Sequence, residues 1–393
     1  MEEKLFNKGF ISITIINFIV YLVYYLLMVI IAVIAHDQLN ASFAEAGFAS
    51  GIYIIGTLLA RLIMGKQLEL WGRKFVVRAG AIFYLVTTIA YLFIPSISVM
   101  YLIRLLNGFA YGMTSTAANA IVTAYIPERK KGEGINYYGL STSLAAAIGP
   151  FIGLILLSTT NFDFIVIFSS ILILLSTIAI FSIKITNIKL TDEHKESLKK
   201  WTFSSFVESK ALFIAAIGFL MGLSYSSVLS FLSSYAEEIN LVSISSFFFV
   251  VYALVVTLTR PMSGRIFDLK GENYVMYPSY IFLALGLLVL AATTDGIVLL
   301  VAGAFIGLGY GTFMSNGQAI VLKLVASHRI GIALSTYFIG LDLGLGVGPY
   351  VLGDLHAILG FRQLYIVCAI IPVICAILYA LFYRPKYVDT KVM

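Results

Sequence analysis

Residues 61–72 read RLIMGKQLELWG, and residues 260–271 read RPMSGRIFDLKG. The two stretches lie 199 positions apart, and that offset sets Arg61 on Arg260, Gly65 on Gly264, Glu69 on Asp268 and Gly72 on Gly271. It continues without a gap. Gly108 meets Gly307, Tyr111 meets Tyr310, Gly112 meets Gly311 and Asn119 meets Gln318; then Gly132 meets Gly331, Tyr138 meets Tyr337, and Gly149-Pro150 meets Gly348-Pro349. The chain is a doubled unit, and any account of its fold has to explain two copies of one plan.

Outward from this repeat the chain is strongly apolar. Only 12% of its residues are charged, against about 25% in a soluble domain, so a water-soluble globule is excluded. Twelve apolar runs are long enough to cross roughly 30 Å of hydrocarbon as helix: 10–35, 43–64, 75–94, 98–125, 134–158, 164–183, 211–235, 244–263, 275–294, 297–322, 332–352 and 364–382. They do not alternate apolar and polar residues, as barrel strands would. The first run is too long, and too interrupted by Asn17, Tyr21, Tyr24 and Tyr25, to be a cleaved signal peptide.

The most charged stretch, 184–210, reads as a cytoplasmic linker. It divides the chain into an N-terminal six-helix bundle over 1–183 and a C-terminal six-helix bundle over 211–393. The net charge of +6 invites a nucleic-acid reading, but its distribution rejects it. With the N-terminus in the cytoplasm, Arg61, Arg104 and Arg260 fall inside helices and Arg362 falls outside. The other 22 of the 26 basic residues (26 less these four) then face the cytoplasm. That is the positive-inside pattern, and it expects a multi-pass cell-membrane protein with both termini cytoplasmic. Parallel repeats with a site at the bilayer midplane are a transporter architecture.

Three motifs carry a resemblance that covers nearly the whole chain. The loop Gly65-Lys66-Gln67-Leu68-Glu69-Leu70-Trp71-Gly72-Arg73-Lys74 is similar to the Gly-x-Leu-Ala-Asp-Arg-x-Gly-Arg-Lys loop of the major facilitator superfamily. Glu69 stands for its Asp, and Leu70 lacks its Arg. Arg104-Leu105-Leu106-Asn107-Gly108 resembles that family's Arg-x-x-Gln-Gly motif. The run from Ala145 through Gly149-Pro150 to Gly153 resembles the motif associated with its antiporters. The resemblance implies an all-α fold of twelve transmembrane helices in two pseudo-symmetric bundles, and within the family it points to the drug and metabolite exporters. It also implies that Gly65, Glu69, Gly72 and Arg73, with Asp268 in the second copy, form a conformational latch, the carboxylate facing a helix N-terminus.

Candidate site residues follow from polarity inside the membrane, where a charge normally faces a cavity or a partner. Asp342 is the one carboxylate deep in any run, on the face opposite Gly340, Gly344 and Gly348. It is the first candidate for proton coupling; a permanently paired Asp is the alternative. Arg104, Asn107, Tyr111, Ser115 and Asn119 in the fourth run are read as substrate or proton-site contacts, a structural ion pair being the alternative for Arg104. Asn17, Tyr21 and Tyr24 in the first run, Tyr138 in the fifth, Tyr310, Asn316 and Gln318 in the tenth and Tyr337 in the eleventh complete the candidate cavity. Ala145, Gly149, Pro150 and Gly153, with Gly344, Gly348 and Pro349, are read as close helix packing.

The chain is thus expected to be a monomeric secondary transporter without cofactor or metal. Its partners are a small organic solute, the proton and the lipid bilayer, and it works by proton-coupled export. A proton-linked importer and, in another class, a membrane-embedded enzyme are the alternatives. The enzyme would need clustered His, Asp or Glu, whereas His36, His194, His328 and His356 scatter over both sides. No P-loop for ATP is present in the sequence.

Overall fold

In lipid every backbone N–H and C=O must be satisfied within the segment, so long apolar runs form helices. The computed structural model describes residues 5–41, 43–188, 190–192, 195–196, 202 and 206–383. Over these it holds twelve long helices and no strand. The first six are α1 (Lys8–Leu39), α2 (Phe43–Trp71), α3 (Arg73–Ile89), α4 (Ile97–Val122), α5 (Lys131–Thr159) and α6 (Phe162–Ser182). The second six are α7 (Ser209–Glu238), α8 (Val242–Lys270), α9 (Asn273–Ala291), α10 (Gly296–Leu324), α11 (Ile330–Leu359) and α12 (Phe361–Phe382). Much of the charged linker, including Ser197, lies outside the described residues.

Helix starts and stops are set locally. Asn7, Ser96, Asn161 and Asp295 each accept backbone N–H bonds into the first turn of α1, α4, α6 and α10, satisfying donors the helix cannot use itself. Gly72 (φ +86°) and Gly271 (φ +94°) let the chain turn from α2 into α3 and from α8 into α9 without a break. A side chain is strained at such angles, which accounts for a glycine at both equivalent positions. The tenth helix contains one π turn over Gly307–Gly311, where its counterpart α4 is regular.

By length and composition alone eleven of the twelve helices are apolar enough to cross a membrane, and α4 is the exception. Its Arg104, Asn107, Thr114, Ser115, Thr116 and Asn119 are all buried. A helix enclosed by its neighbours does not need a lipid-compatible surface. The reverse holds for α6 and α12, whose Ile171, Leu175, Ile178, Ile370, Ile374 and Ile377 point outward.

Within the first half, α1 packs on α5, α2 on α4, and α3 on α4 and α6; in the second, α7 packs on α11 and α9 on α12. Glycines of the small-residue stripes sit at two of these contacts. Gly149 and Gly153 lie against the α1 backbone at Leu22 and Leu26, and Gly340 and Gly344 against the α7 backbone at Ala215 and Phe219. Ala145 is buried and Pro150 sits within α5, while the Pro349 side chain falls outside the described residues. Cys368 and Cys375 are buried and unpaired.

Candidate transport site

The two halves meet along two seams, α2 against α11 and α5 against α8. In the first, Arg61 Nε lies 2.9 Å from Asp342 Oδ2, and the guanidinium stands 4.8 Å from the Phe338 ring centre. One turn nearer the loop end, Gly65 abuts Ser335; a further turn on, Gly331 abuts Leu68 and the Gly65 carbonyl. Arg61 is ten residues from the end of α2 and Asp342 twelve from the start of α11, so the pair lies roughly 15–18 Å from that end by helical rise. It is the innermost rung of the seam. The Asp342 side chain is 22% exposed and Arg61 only 4%, so the carboxylate is the member that opens toward the space between the halves.

The second seam repeats this order through the 199-residue offset. Arg260 donates from Nη1 to the Gly139 carbonyl and from Nε to the Gly311 carbonyl at 3.2 Å. Gly264 abuts Gly132, Glu133 and Asn136. Asn136 Nδ2 donates to Asn316 Oδ1 at 3.0 Å, and Ser263 Oγ donates to Asn136 Oδ1 at 3.2 Å. At the loop end the Asp268 carboxylate accepts from the Gly132 and Glu133 N–H groups, both at 2.8 Å. These are unpaired donors of the first turn of α5, where the helix dipole favours an anion.

The carboxylate-on-helix contact anticipated for Glu69 is thus made by Asp268. Glu69 instead binds Arg73, with Nη2–Oε1 at 2.7 Å. Arg73 in turn donates to the carbonyls of Ala120 at 2.8 Å and Ser327 at 3.3 Å, the latter in the other half. Glu69 closes α2 and Arg73 opens α3, and the turn at Gly72 brings the two side chains together, so Glu69 reaches the second half through Arg73.

Beyond these seams, tyrosines of the two halves pack in two clusters. Tyr24 stacks on Tyr111 and Tyr53, at 4.9 and 5.2 Å between ring centres, and Tyr21 meets Tyr111 at 5.3 Å. Opposite, Tyr225 stacks on Tyr310 at 4.1 Å and on Tyr252 at 5.7 Å. Asn119 and Gln318 bond to each other between the halves, with Gln318 Nε2 donating to Asn119 Oδ1 at 3.2 Å. Tyr138 is buried, and Tyr337 is tied to the Met314 carbonyl.

Other candidates are held inside one half. Asn17 donates to Ser141 and Thr142 of α5. Asn107 bonds Thr87, Thr88 and Tyr91 in the α3–α4 contact. Ser115 Oγ turns back to the Gly112 carbonyl. Arg104 is fully buried, bound to the Ala49 and Ser50 carbonyls, the Tyr91 hydroxyl and the Met28 sulfur, with its guanidinium 4.5 Å from the Tyr53 ring centre. Arg61, Tyr53, Tyr225, Tyr252, Asn136 and Ser263 were not among the candidates. The repeat does hold a signal for three of them, since Arg61 aligns with Arg260 and Tyr53 with Tyr252.

A twelve-helix membrane fold of two repeats, closed at one end by paired seams and holding a charged pair between them, is a transporter architecture. The family model of the Major Facilitator Superfamily matches residues 13–297 and 245–392, and the chain belongs to this family. It is 24% identical to an uncharacterised MFS-type transporter of Methanocaldococcus jannaschii, over 87% of this chain and 90% of that one. It is 21% identical to the staphylopine export protein of Staphylococcus aureus, over 90% of both. With multidrug resistance protein MdtG of Enterobacter lignolyticus it shares 28% identity, over 43% of this chain and 42% of that one. Among solved structures, the human organic anion transporter MFSD10 superposes with a TM-score of 0.73 at 14% identity, covering 94% of this chain and 98% of that one. FucP in its outward conformation gives 0.73 at 14% identity, over 97% and 100%.

Proposed function

We propose that the protein exports a small organic solute across the cell membrane in exchange for protons, with Asp342 as the coupling group. The observation that carries this reading is the Arg61–Asp342 pair: an ion pair between the halves, buried on the arginine side and open on the carboxylate side. A proton arriving on Asp342 removes the charge that holds Arg61, which weakens the α2–α11 seam and favours opening at the loop end. Release of that proton restores the pair and closes the end again. The basic loops at the closed end support a cytoplasmic side for it; on this reading the protein opens outward and Asp342 takes its proton from outside. Solute bound while the cytoplasmic end is open is then carried out. The names of the staphylopine exporter and of MdtG support export. The working unit is a monomer, with both termini cytoplasmic.

The test is solute-dependent proton movement in proteoliposomes, wild type against Asp342→Asn. The amide keeps size and hydrogen bonding but mimics the protonated state, so the variant is expected to exchange solute without concentrating it under a pH gradient. Proton flux at the wild-type ratio in Asp342→Asn would remove Asp342 from the coupling. Protons moving with the solute would make the protein an importer.

A further inference from the structure

The two buried seam arginines are equivalent by the repeat, yet their surroundings differ in one respect. Arg61 has Asp342; the position matching Asp342 in the first half is Ser143. Among the described residues no carboxylate pairs with Arg260, which is 1% exposed and bonded only to two neutral carbonyls. One of these, Gly139 O, belongs to α5 and therefore to the opposite half. Around the same guanidinium lie donors with nothing to donate to. Ser315 Oγ, on a residue 2% exposed, has no hydrogen-bond partner, and neither has the Tyr310 hydroxyl. A helical serine ordinarily bonds back to its own backbone, and Ser315 does not. A Cβ placed on Gly139 would lie 2.5 Å from Arg260 Nη1 and 2.7 Å from Ser315 Oγ, so arginine and hydroxyl both converge on the same point of the α5 backbone.

We propose that Arg260, with Ser315 and Tyr310, is the binding site for an oxyanion of the transported solute, and that Gly139 O occupies it when the cytoplasmic end is closed. When α5 parts from α8, the guanidinium loses its Gly139 bond and is left as an uncompensated cation in a cleft walled by Tyr25, Tyr252, Tyr310 and Tyr337. A carboxylate, sulfonate or phosphonate then supplies acceptors for the arginine fork and for the two idle hydroxyls. On closure the carbonyl returns to the guanidinium and displaces the anion toward the open outer side. The solute class is therefore an organic anion with a body that stacks on tyrosine. The inference rests on the transporter reading but not on proton coupling, and its test measures binding alone, so either can fail without the other.

The experiment is thermal unfolding of the purified full chain in detergent, titrated with naphthoate, naphthalenesulfonate and the uncharged naphthamide. In the wild type both oxyanions should stabilise saturably, with apparent Kd about tenfold or more below that of naphthamide, as expected for bonds to a charged donor. Arg260→Gln should level this difference, and Arg260→Lys should keep part of it. If Arg260→Gln does not fold, Ser143→Asp takes its place: it sets a carboxylate on α5 one turn from Gly139 and should also level the difference. Equal response to naphthoate and naphthamide in the wild type, no saturable response to either oxyanion, or full discrimination in the folded variant overturns the proposal.

Discussion

Gln318 donates to Asn119 at 3.2 Å, and the two residues are the same position of the repeat, 199 apart. A contact between equivalent positions lies on the axis relating the two halves. For parallel repeats that axis runs along the membrane normal, and Asn119 and Gln318 stand three and six residues from the loop ends of α4 and α10, so this bond helps close the cytoplasmic end and is expected to break with the seam contacts as the halves rock. Asn119→Ala and Gln318→Ala should each lower stability by about 1–3 kcal/mol, the cost of a buried group left unsatisfied. The double variant should cost less than the sum of the two, giving a coupling of about 1 kcal/mol in a double-mutant cycle of thermal unfolding. Strict additivity would mean that the bond is absent in the membrane.

The seam glycines make a prediction that separates side chain from backbone. At Gly65 an added Cβ meets Ser335 Oγ at 2.5 Å and Ser335 Cβ at 2.6 Å; at Gly264 it meets Glu133 Cα and the Gly132 carbonyl, both at 2.7 Å. A side chain can be removed, but a backbone cannot. Gly65→Ala should hinder closure of the cytoplasmic end, and Ser335→Gly should restore it. Gly264→Ala should be the more severe of the two, and Asn136→Gly should not rescue it. The readout is cysteine accessibility in the seam, and equal rescue of both glycines would contradict the geometry.

The latch residues should also rank. Asp268 bonds the α5 N-terminus directly, whereas Glu69 acts by holding Arg73 on Ser327. Asp268→Asn loses one acceptor and turns an amide toward two N–H groups. It should shift the equilibrium toward the cytoplasm-open state by about 1–2 kcal/mol. Glu69→Gln should behave like Arg73→Ala in transport rate while leaving solute affinity within a few fold. A large loss of equilibrium binding with exchange intact would contradict a latch.

For the charged pair, Arg61→Ala leaves a carboxylate without its counter-ion in a low-dielectric site. It should destabilise the cytoplasm-closed form by about 3–5 kcal/mol, as breaking a buried ion pair does. Joint replacement, Arg61→Gln with Asp342→Asn, removes both charges and should recover most of the folding stability without recovering proton-driven transport. Measuring thermal unfolding and flux on the same preparations separates the two effects. Recovery of coupling in the neutral pair would exclude a role for protonation.

Orientation is open to a labelling test. Cysteine at Ser197, in the charged linker, should react only with reagents admitted to the cytoplasm, and cysteine at Asn161, between α5 and α6, only from outside. The reverse pattern would put both termini and the closed end outside the cell.

How far the sequence could be read depended on the kind of physics behind each feature. The helices follow from segment hydropathy, which is local. The pairing of halves follows from the 199-residue offset, because duplicated positions keep duplicated surroundings, and Gly65, Gly264 and the loop glycines were legible for that reason. Asp342 was legible as a lone deep carboxylate. Its counter-ion Arg61 was not, because a helix carrying an arginine and a helix carrying an aspartate 281 positions later say nothing about facing each other. Arg104 and Asn107 illustrate the converse. Their polarity inside an apolar run points equally to a cavity and to a buried network, and only the positions of Ala49, Tyr91, Thr87 and Thr88 give their hydrogen bonds.

By itself the sequence determined that the chain is a membrane protein of two like halves, because hydropathy over about twenty residues and the repeat of small and charged residues are properties of the chain. Only the tertiary structure decided which buried charges are answered and which are not. Repeats of one ancestor share a backbone plan but not each side chain. Asp342 and Ser143 stand at matching positions, so one seam arginine meets an anion and the other meets a carbonyl. That difference depends on distances between helices far apart in the chain, which the fold alone sets.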